Sequence, residues 1–282
     1  MKVRPCAYAG SFYPADPDSL LRTLEYLFSH SDKYNSTQVS EKAYGIVSPH
    51  AGYIYSGLIA AIAFCALGNK KNGKPDPDFT GTIIIIGPGH RSPYSAISLC
   101  EWETPLGNIT SDEQLASAIS HVSGIAVNEQ VHLPEHGIEV ILPFVKYQFP
   151  NAQFIAIQLG DQRFEPSMAL GKAIASCITD SGKNLGEDVY IVASSDGSHY
   201  ISHNEAKKID AQALSALSNL DCYEFYKRAK HTTMCGYGPT ITMVTAAQMC
   251  GAKQGICLAY KTSGDVTGDN AQVVGYAAVA VV

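Results

Sequence analysis

The chain of 282 residues reads as a single α/β domain whose central sheet, mainly parallel or mixed, is flanked by helices. Three observations predict this class. Several short segments are apolar at every position, above all residues 82–86 (Thr-Ile-Ile-Ile-Ile), a pattern that suits strands buried on both faces. Between them lie longer segments with apolar residues at helical spacing. No proline- or serine-rich linker and no internal repeat divides the chain, so residues 1–282 are read as one domain.

The elements follow in order. Asp16 as N-cap and Pro17 at the first helical position begin a helix with Leu20, Leu21, Leu24, Leu27 and Phe28 on one face. A polar stretch through Ser40 leads to a buried strand at residues 44–47, broken by Pro49-His50-Ala51-Gly52, and then to a helix over residues 58–67. Residues 69–79 carry lysines, glycine and prolines and read as an exposed loop. After the strand at 82–86, Ser111 is read as the cap of a helix with Asp112 and Glu113 in its first turn. A further helix is expected to start near Glu135, placing Glu135 at the positive end of its dipole. Residues 154–158 and 189–193 predict strands; residues 168–178, 204–217, 222–230 and 239–249 predict helices. The chain ends with two paired strands, residues 257–260 and 273–282, joined through Ser263-Gly264-Asp265.

Bulk composition excludes several classes. A hydrophobic fraction of 46% with 16% charged residues describes a buried globular chain rather than a disordered one. A formal net charge of -6 gives no electrostatic ground for nucleic acid or an anionic membrane as partner. No apolar stretch approaches the length of a bilayer span, and the first residues do not form a secretory leader. Eight scattered cysteines without a CxxC pair then suggest a reducing cytoplasm, with most thiols serving as small apolar residues.

Chemistry-bearing residues collect at strand ends. Residues 44–47 lead into Ser48-Pro49-His50, residues 82–86 into Gly87-Pro88-Gly89-His90, and residues 189–193 into Ser194-Ser195-Asp196-Gly197-Ser198-His199. In open α/β sheets the carboxyl ends of parallel strands line the ligand crevice. The glycines and prolines beside His50 and His90 fix tight backbone paths that a solvated surface histidine does not need. His30, His121, His132 and His231 lack such settings and read as ordinary surface residues. Asp196 and His199 are spaced so that the acid either orients an imidazole or shares one cleft with it. Glu135-His136 is a second acid–imidazole pair.

Cys235, in Met234-Cys235-Gly236-Tyr237-Gly238-Pro239, stands in a glycine-rich turn before a helix, where a thiol pKa is expected to fall. Two chemistries fit the pattern. Cys235 is either a nucleophile with His199 as base and Asp196 as orienter, or a ligand joining histidines around Fe(II), copper or Zn(II).

With these residues in view, the chain resembles the Memo family, mediators of cell motility in animals with many archaeal and bacterial relatives. The matching segments are Arg4-Pro5 with Ala9-Gly10-Ser11-Phe12-Tyr13-Pro14, the stretch from Pro49 through Gly57 that contains His50, Tyr53 and Tyr55, and Gly87-Pro88-Gly89-His90. They continue with Trp102-Glu103-Thr104-Pro105-Leu106-Gly107, Glu135-His136-Gly137-Ile138-Glu139 with Leu142-Pro143, Ser194-Ser195-Asp196 with His199-Tyr200, and Cys235-Gly236 with Pro239.

The resemblance implies a fold similar to the class III extradiol dioxygenases, which use non-haem Fe(II). It implies His50, His90 and Cys235 as ligands of one Fe(II) or copper ion, Cys235 replacing a carboxylate, with Zn an alternative. It further implies His199 as acid/base beside Asp196, and Glu135, His136 and Tyr53 at the substrate cleft. A thiolate in a carboxylate's place makes such a site softer and open to oxidation. The function so implied is a redox oxidoreductase. A peptide- or protein-binding module with a vestigial site is the alternative, linked in animal members to phosphotyrosine peptides; a cysteine hydrolase is the third reading. Radical SAM and AMMECR-type proteins are the partners the resemblance suggests.

Overall fold

The computed structural model describes residues 2–31, 42–68 and 73–282; the polar stretch expected after the first helix and the start of the predicted 69–79 loop lie outside them. The chain opens with strand β1 (Val3–Arg4), helix α1 (Pro17–Ser31), β2 (Gly45–Ser48) and α2 (Tyr53–Phe64). It continues through β3 (Thr82–Pro88), β4 (Ala96–Ser98), β5 (Glu101–Trp102), α3 (Glu113–Ser123), the short α4 (Glu129–His132) and α5 (Leu142–Gln148). Next come β6 (Gln153–Leu159), α6 (Phe164–Asp180), β7 (Val189–Ser194), β8 (His199–Ile201), α7 (His203–Ser218) and α8 (Cys222–Ala229). The last elements are α9 (Tyr237–Met249), β9 (Gly255–Thr262), α10 (Gly264–Thr267) and β10 (Val273–Val281).

One mixed sheet organises these elements in the order β4-β6-β3-β7-β2-β10-β8, with β9 also paired to β10. Its centre, β6-β3-β7-β2, is entirely parallel, while β10 runs antiparallel to β2, β8 and β9, and β4 antiparallel to β6. The isoleucine run of β3 is explained by burial on both faces: Ile83 and Ile85 join one core with α1, α2 and α5, and Ile84 and Ile86 join another with α3, α6 and α9. A fully buried isoleucine stabilises the fold by roughly 1.5–3 kcal/mol, so this one strand anchors both layers.

Several boundaries differ from the sequence expectation. Helix α2 begins at Tyr53 rather than Leu58, because Gly57 serves helix packing instead of breaking it: a Cβ there would come within 2.8 Å of Leu27 Cδ1 on α1. Asp112, not Ser111, caps α3, accepting the Leu115 N–H at 3.0 Å while its other oxygen takes Thr82 Oγ1 and Lys183 Nζ. No helix starts near Glu135; a 3-10 turn at Glu139–Ile141 precedes α5 at Leu142, and the Glu135 side chain turns inward. Within the predicted exposed loop at 69–79, Asp76 is buried.

His132 also departs from its surface reading. It is buried with its ring 5.6 Å from that of Trp102. Burial holds its pKa at about 4, below its ordinary 6.5. The fold accommodates the neutral ring, so this contribution to stability is complete above pH 6.5 and is lost as pH falls towards 4. Urea unfolding at pH 7 and pH 5 should therefore show a loss of about 2 kcal/mol from this group, absent in His132→Phe. Equal losses in the two proteins would contradict this.

Candidate metal centre

The parallel strands β2, β3 and β7 lie side by side and end at the same edge, so the segments that follow them converge. His50 follows β2, His90 follows β3 and Asp196 follows β7. Cys235 arrives from the other direction, at the start of α9. Its neighbour Gly236 is the N-cap, and a Cβ there would lie 2.3 Å from the Ser194 carbonyl oxygen. Only glycine lets the helix start approach the end of β7 so closely.

The result is a trio. Donor atoms of His50, His90 and Cys235 all lie within 4.8 Å of one another. Cys235 Sγ is 3.4 Å from His50 Nε2, and the two imidazoles meet edge to face with centroids 5.1 Å apart.

Each imidazole has its tautomer set by a neighbour. The Ser194 hydroxyl donates to the Gly137 carbonyl oxygen, so it can only accept from His50 Nδ1–H at 2.7 Å. His90 Nδ1–H donates to Glu135 Oε1 at 2.7 Å, while the same carboxylate takes the His90 backbone N–H at 2.8 Å and the Gly137 N–H at 2.9 Å. His199 Nδ1–H donates to the Thr233 carbonyl oxygen at 3.0 Å. All three rings therefore keep an Nε2 lone pair for other work.

At His50 and at the neighbouring His136, burial favours the neutral ring. Burial, reinforced by the neighbouring His90, holds the His50 pKa at about 3. His136, stacked on His90 at 4.5 Å, is held at about 4 by burial and then by His50. Burial acts to raise the Glu135 pKa, but the hydrogen bonds it accepts from His90 and the Gly137 N–H draw the carboxyl down, to about 2. Burial pushes Asp196 up.

The sequence expected a lowered Cys235 pKa; the opposite holds. Burial, then the Asp196 carboxylate, pushes the thiol up, and the opposing hydrogen bonds, led by the Asp196 N–H at 3.2 Å, do not compensate.

The cysteine-nucleophile arrangement is not assembled. Asp196 Oδ1 accepts the His50 backbone N–H at 2.9 Å rather than orienting His199, and His199 is turned to Thr233 rather than to Cys235. Asp196, His199 and His136 instead line one open cleft of about 490 Å³, with Phe12 and Tyr55 on its wall. Tyr53, expected there, is a core residue whose hydroxyl donates to the Val140 carbonyl; Tyr55, two residues on, occupies the cleft. Glu135 is fully buried behind His90 and does not line the cleft. At the rim, Tyr200 adopts the left-handed region (φ 59°) and is 72% exposed, a costly backbone for an aromatic residue.

Sequence reasoning missed Ser194 and Thr233. Ser194 opens the motif that holds Asp196 and His199, and Thr233 lies just before the Cys235 motif, but a hydroxyl or a carbonyl oxygen leaves no pattern of its own.

A second group of His90, Glu135 and His136 also converges. There the Glu135 oxygens are already committed to hydrogen bonds from His90 and Gly137, so the first trio fits a metal better. Two imidazole nitrogens and a sulfur form a borderline-soft donor set, suited to Fe(II), copper or Zn(II).

Ser194→Ala would strand a buried imidazole N–H and a buried carbonyl. The variant should lose about 1–3 kcal/mol in urea unfolding; an unchanged midpoint would contradict the tautomer assignment.

A profile of the Memo family, described as "Memo-like protein", matches residues 4–280. Among similar chains, the "MEMO1 family protein" of Methanobrevibacter smithii is 37% identical over 287 residues, covering 98% of both chains. The relative from Methanothermobacter thermautotrophicus is 37% identical over 98% of this chain and 99% of its own. That from Methanosarcina barkeri is 38% identical over 99% of this chain and 100% of its own. With a match this complete, the chain belongs to the Memo family.

Proposed function

We propose that this Memo-family protein is a mononuclear metalloprotein of redox type, with Fe(II) or copper held by His50, His90 and Cys235 and a small organic or peptide ligand received in the adjacent cleft. The observation that carries the reading is the convergence of two fixed Nε2 lone pairs and a thiol within 4.8 Å, each imidazole backed by its own hydrogen-bond partner. An imidazole whose far nitrogen is bonded to a carboxylate or hydroxyl is oriented and made a stronger ligand. Zn(II) suits the same donors; the redox reading favours iron or copper, which supply one-electron and oxygen chemistry when bound.

The chain's own residues would do the rest. His199, with Nδ1–H held by Thr233, keeps Nε2 free to take or return a proton on a ligand in the cleft. Asp196 steadies the His50 backbone with one carboxylate oxygen and borders the cleft. His136 and Phe12, with ring centroids 4.9 Å apart, wall the cleft beside His50 and His90.

A second reading draws on the openness of that cleft and the exposed Tyr200 at its rim: a peptide-binding module in which the trio is only structural. It predicts that ligand binding survives loss of the trio.

Protein purified without oxygen should contain close to one iron or copper per chain by elemental analysis. His50→Ala and Cys235→Ser should lose it. Glu135→Gln, which keeps a hydrogen-bonding group but not the charge, should weaken metal binding about 10–100-fold. Metal-free protein under these conditions, or metal retained in both ligand variants, would sink the proposal.

A further inference from the structure

We infer that Tyr200 is a ligand-contacting residue that covers the outer side of the cleft's occupant, and that the chain gives up stability to place it there. The inference rests on the proposed reading of this cleft as the ligand site.

The backbone at Tyr200 is unusual. Strand β8 pairs antiparallel with β10, His199 opposite Val274 and Ile201 opposite Val273, so Tyr200 is the extra residue of a β-bulge. Its φ of 59° lies in the left-handed region, where a Cβ is strained and a bulge ordinarily carries glycine. Bonds around it fix this conformation. The His199 N–H donates to Thr233 Oγ1, which donates back to the His199 carbonyl oxygen at 3.1 Å. One residue earlier, the Ser198 carbonyl oxygen accepts the Gly275 N–H at 2.8 Å. Strain of this kind persists only where the surroundings over-determine it.

Nothing within the chain offsets that cost. Among the described residues, the other non-glycine residue in the left-handed region is Leu220 (φ 53°). Leu220 is 3% exposed and belongs to the core that includes Leu217 and Phe225, so burial repays its backbone. Tyr200 is 72% exposed and recovers no such burial. The other well-exposed tyrosines, Tyr26, Tyr94 and Tyr223, are not in the left-handed region. A local rule broken without a compensating gain inside the fold is expected at a functional position.

The bulge also aims the side chain. Tyr200 lines the cleft with Phe12, Tyr55 and Tyr276, and its ring meets that of His199 edge to face at 5.7 Å. A ligand seated against this ring removes it from water beside the imidazole whose Nε2 is free. Such a contact depends on area and ring packing, not on the charge of Asp196 or of the histidines around it.

The test titrates a neutral probe, 2-naphthalenemethanol, by NMR into the metal-free and the Zn(II)-loaded chain, beside urea unfolding of the same proteins. Tyr200→Gly should unfold at a urea midpoint no lower than that of the wild type. Tyr200→Ala, which keeps the strain without the ring, should unfold earlier than Tyr200→Gly. Both should bind the probe at least about fivefold more weakly, while Tyr200→Phe should match the wild type. Equal losses in the glycine and alanine variants assign the contact to the ring rather than to backbone freedom. Unchanged probe binding in Tyr200→Gly, no binding at the wild-type cleft, or a Tyr200→Gly midpoint below that of the wild type would overturn the inference. The expected pattern in a chain that takes up no zinc supports the inference while counting against the metal reading. Unchanged probe binding in a zinc-loaded Tyr200→Gly chain overturns the inference and leaves the metal reading standing.

Discussion

A single buried carboxylate, that of Glu135, holds the functional edge of this molecule together. It accepts the backbone and side-chain N–H of His90 and the N–H of Gly137, and it is fully shielded from solvent. The segment carrying it is pinned from below by Arg4. That guanidinium donates to the backbone carbonyls of His132, Leu133 and Glu135, pairs with Glu139, and stacks over Trp102 at 4.1 Å. Glu139 in turn accepts from Ala7 N, Tyr8 N and the Tyr13 hydroxyl. Breaking such a pair by removing one partner typically costs about 3–5 kcal/mol, because the other charge is left buried. The N-terminal segment is thereby locked to the loop that orients His90.

From this clamp the site's chemistry follows. A carboxylate that can only accept forces His90 to donate from Nδ1, and a hydroxyl already donating to Gly137 forces the same on His50. Both networks meet at Gly137, whose N–H faces Glu135 and whose carbonyl faces Ser194. One glycine between the two histidine supports couples their orientations, which is why the two lone pairs arrive together beside Cys235. The sheet supplies position, and these hydrogen bonds supply protonation state.

The sequence made part of this legible. Consecutive apolar residues at 82–86 announced a strand covered on both faces, and glycine or proline punctuation after three strands marked His50, His90 and Asp196. Cys235 stood out by its glycine-rich turn, and resemblance to the Memo family joined it to the histidines. What stayed hidden depends on side-chain direction. Glu135 looks like a first-turn helix residue until its carboxylate is seen to turn inward. Tyr53 and Tyr55 carry the same side chain at the start of one helix, yet one packs in the core and the other faces the cleft. His132 lies in a polar stretch but is buried because a short helix folds it against Trp102. Nearness to a helix start, visible in the sequence, favours a low Cys235 pKa, while the burial that opposes it belongs to the fold alone.

On the proposed reading, function in this chain rests on which lone pairs the fold leaves free. The most direct test is an anaerobic crystal structure of the metal-loaded protein, with the ion identified by anomalous scattering at its absorption edge. The account predicts one iron or copper peak bonded to His50 Nε2, His90 Nε2 and Cys235 Sγ, with Glu135 still holding His90 Nδ1. A metal seated instead among His90, Glu135 and His136, with Cys235 uninvolved, would contradict it.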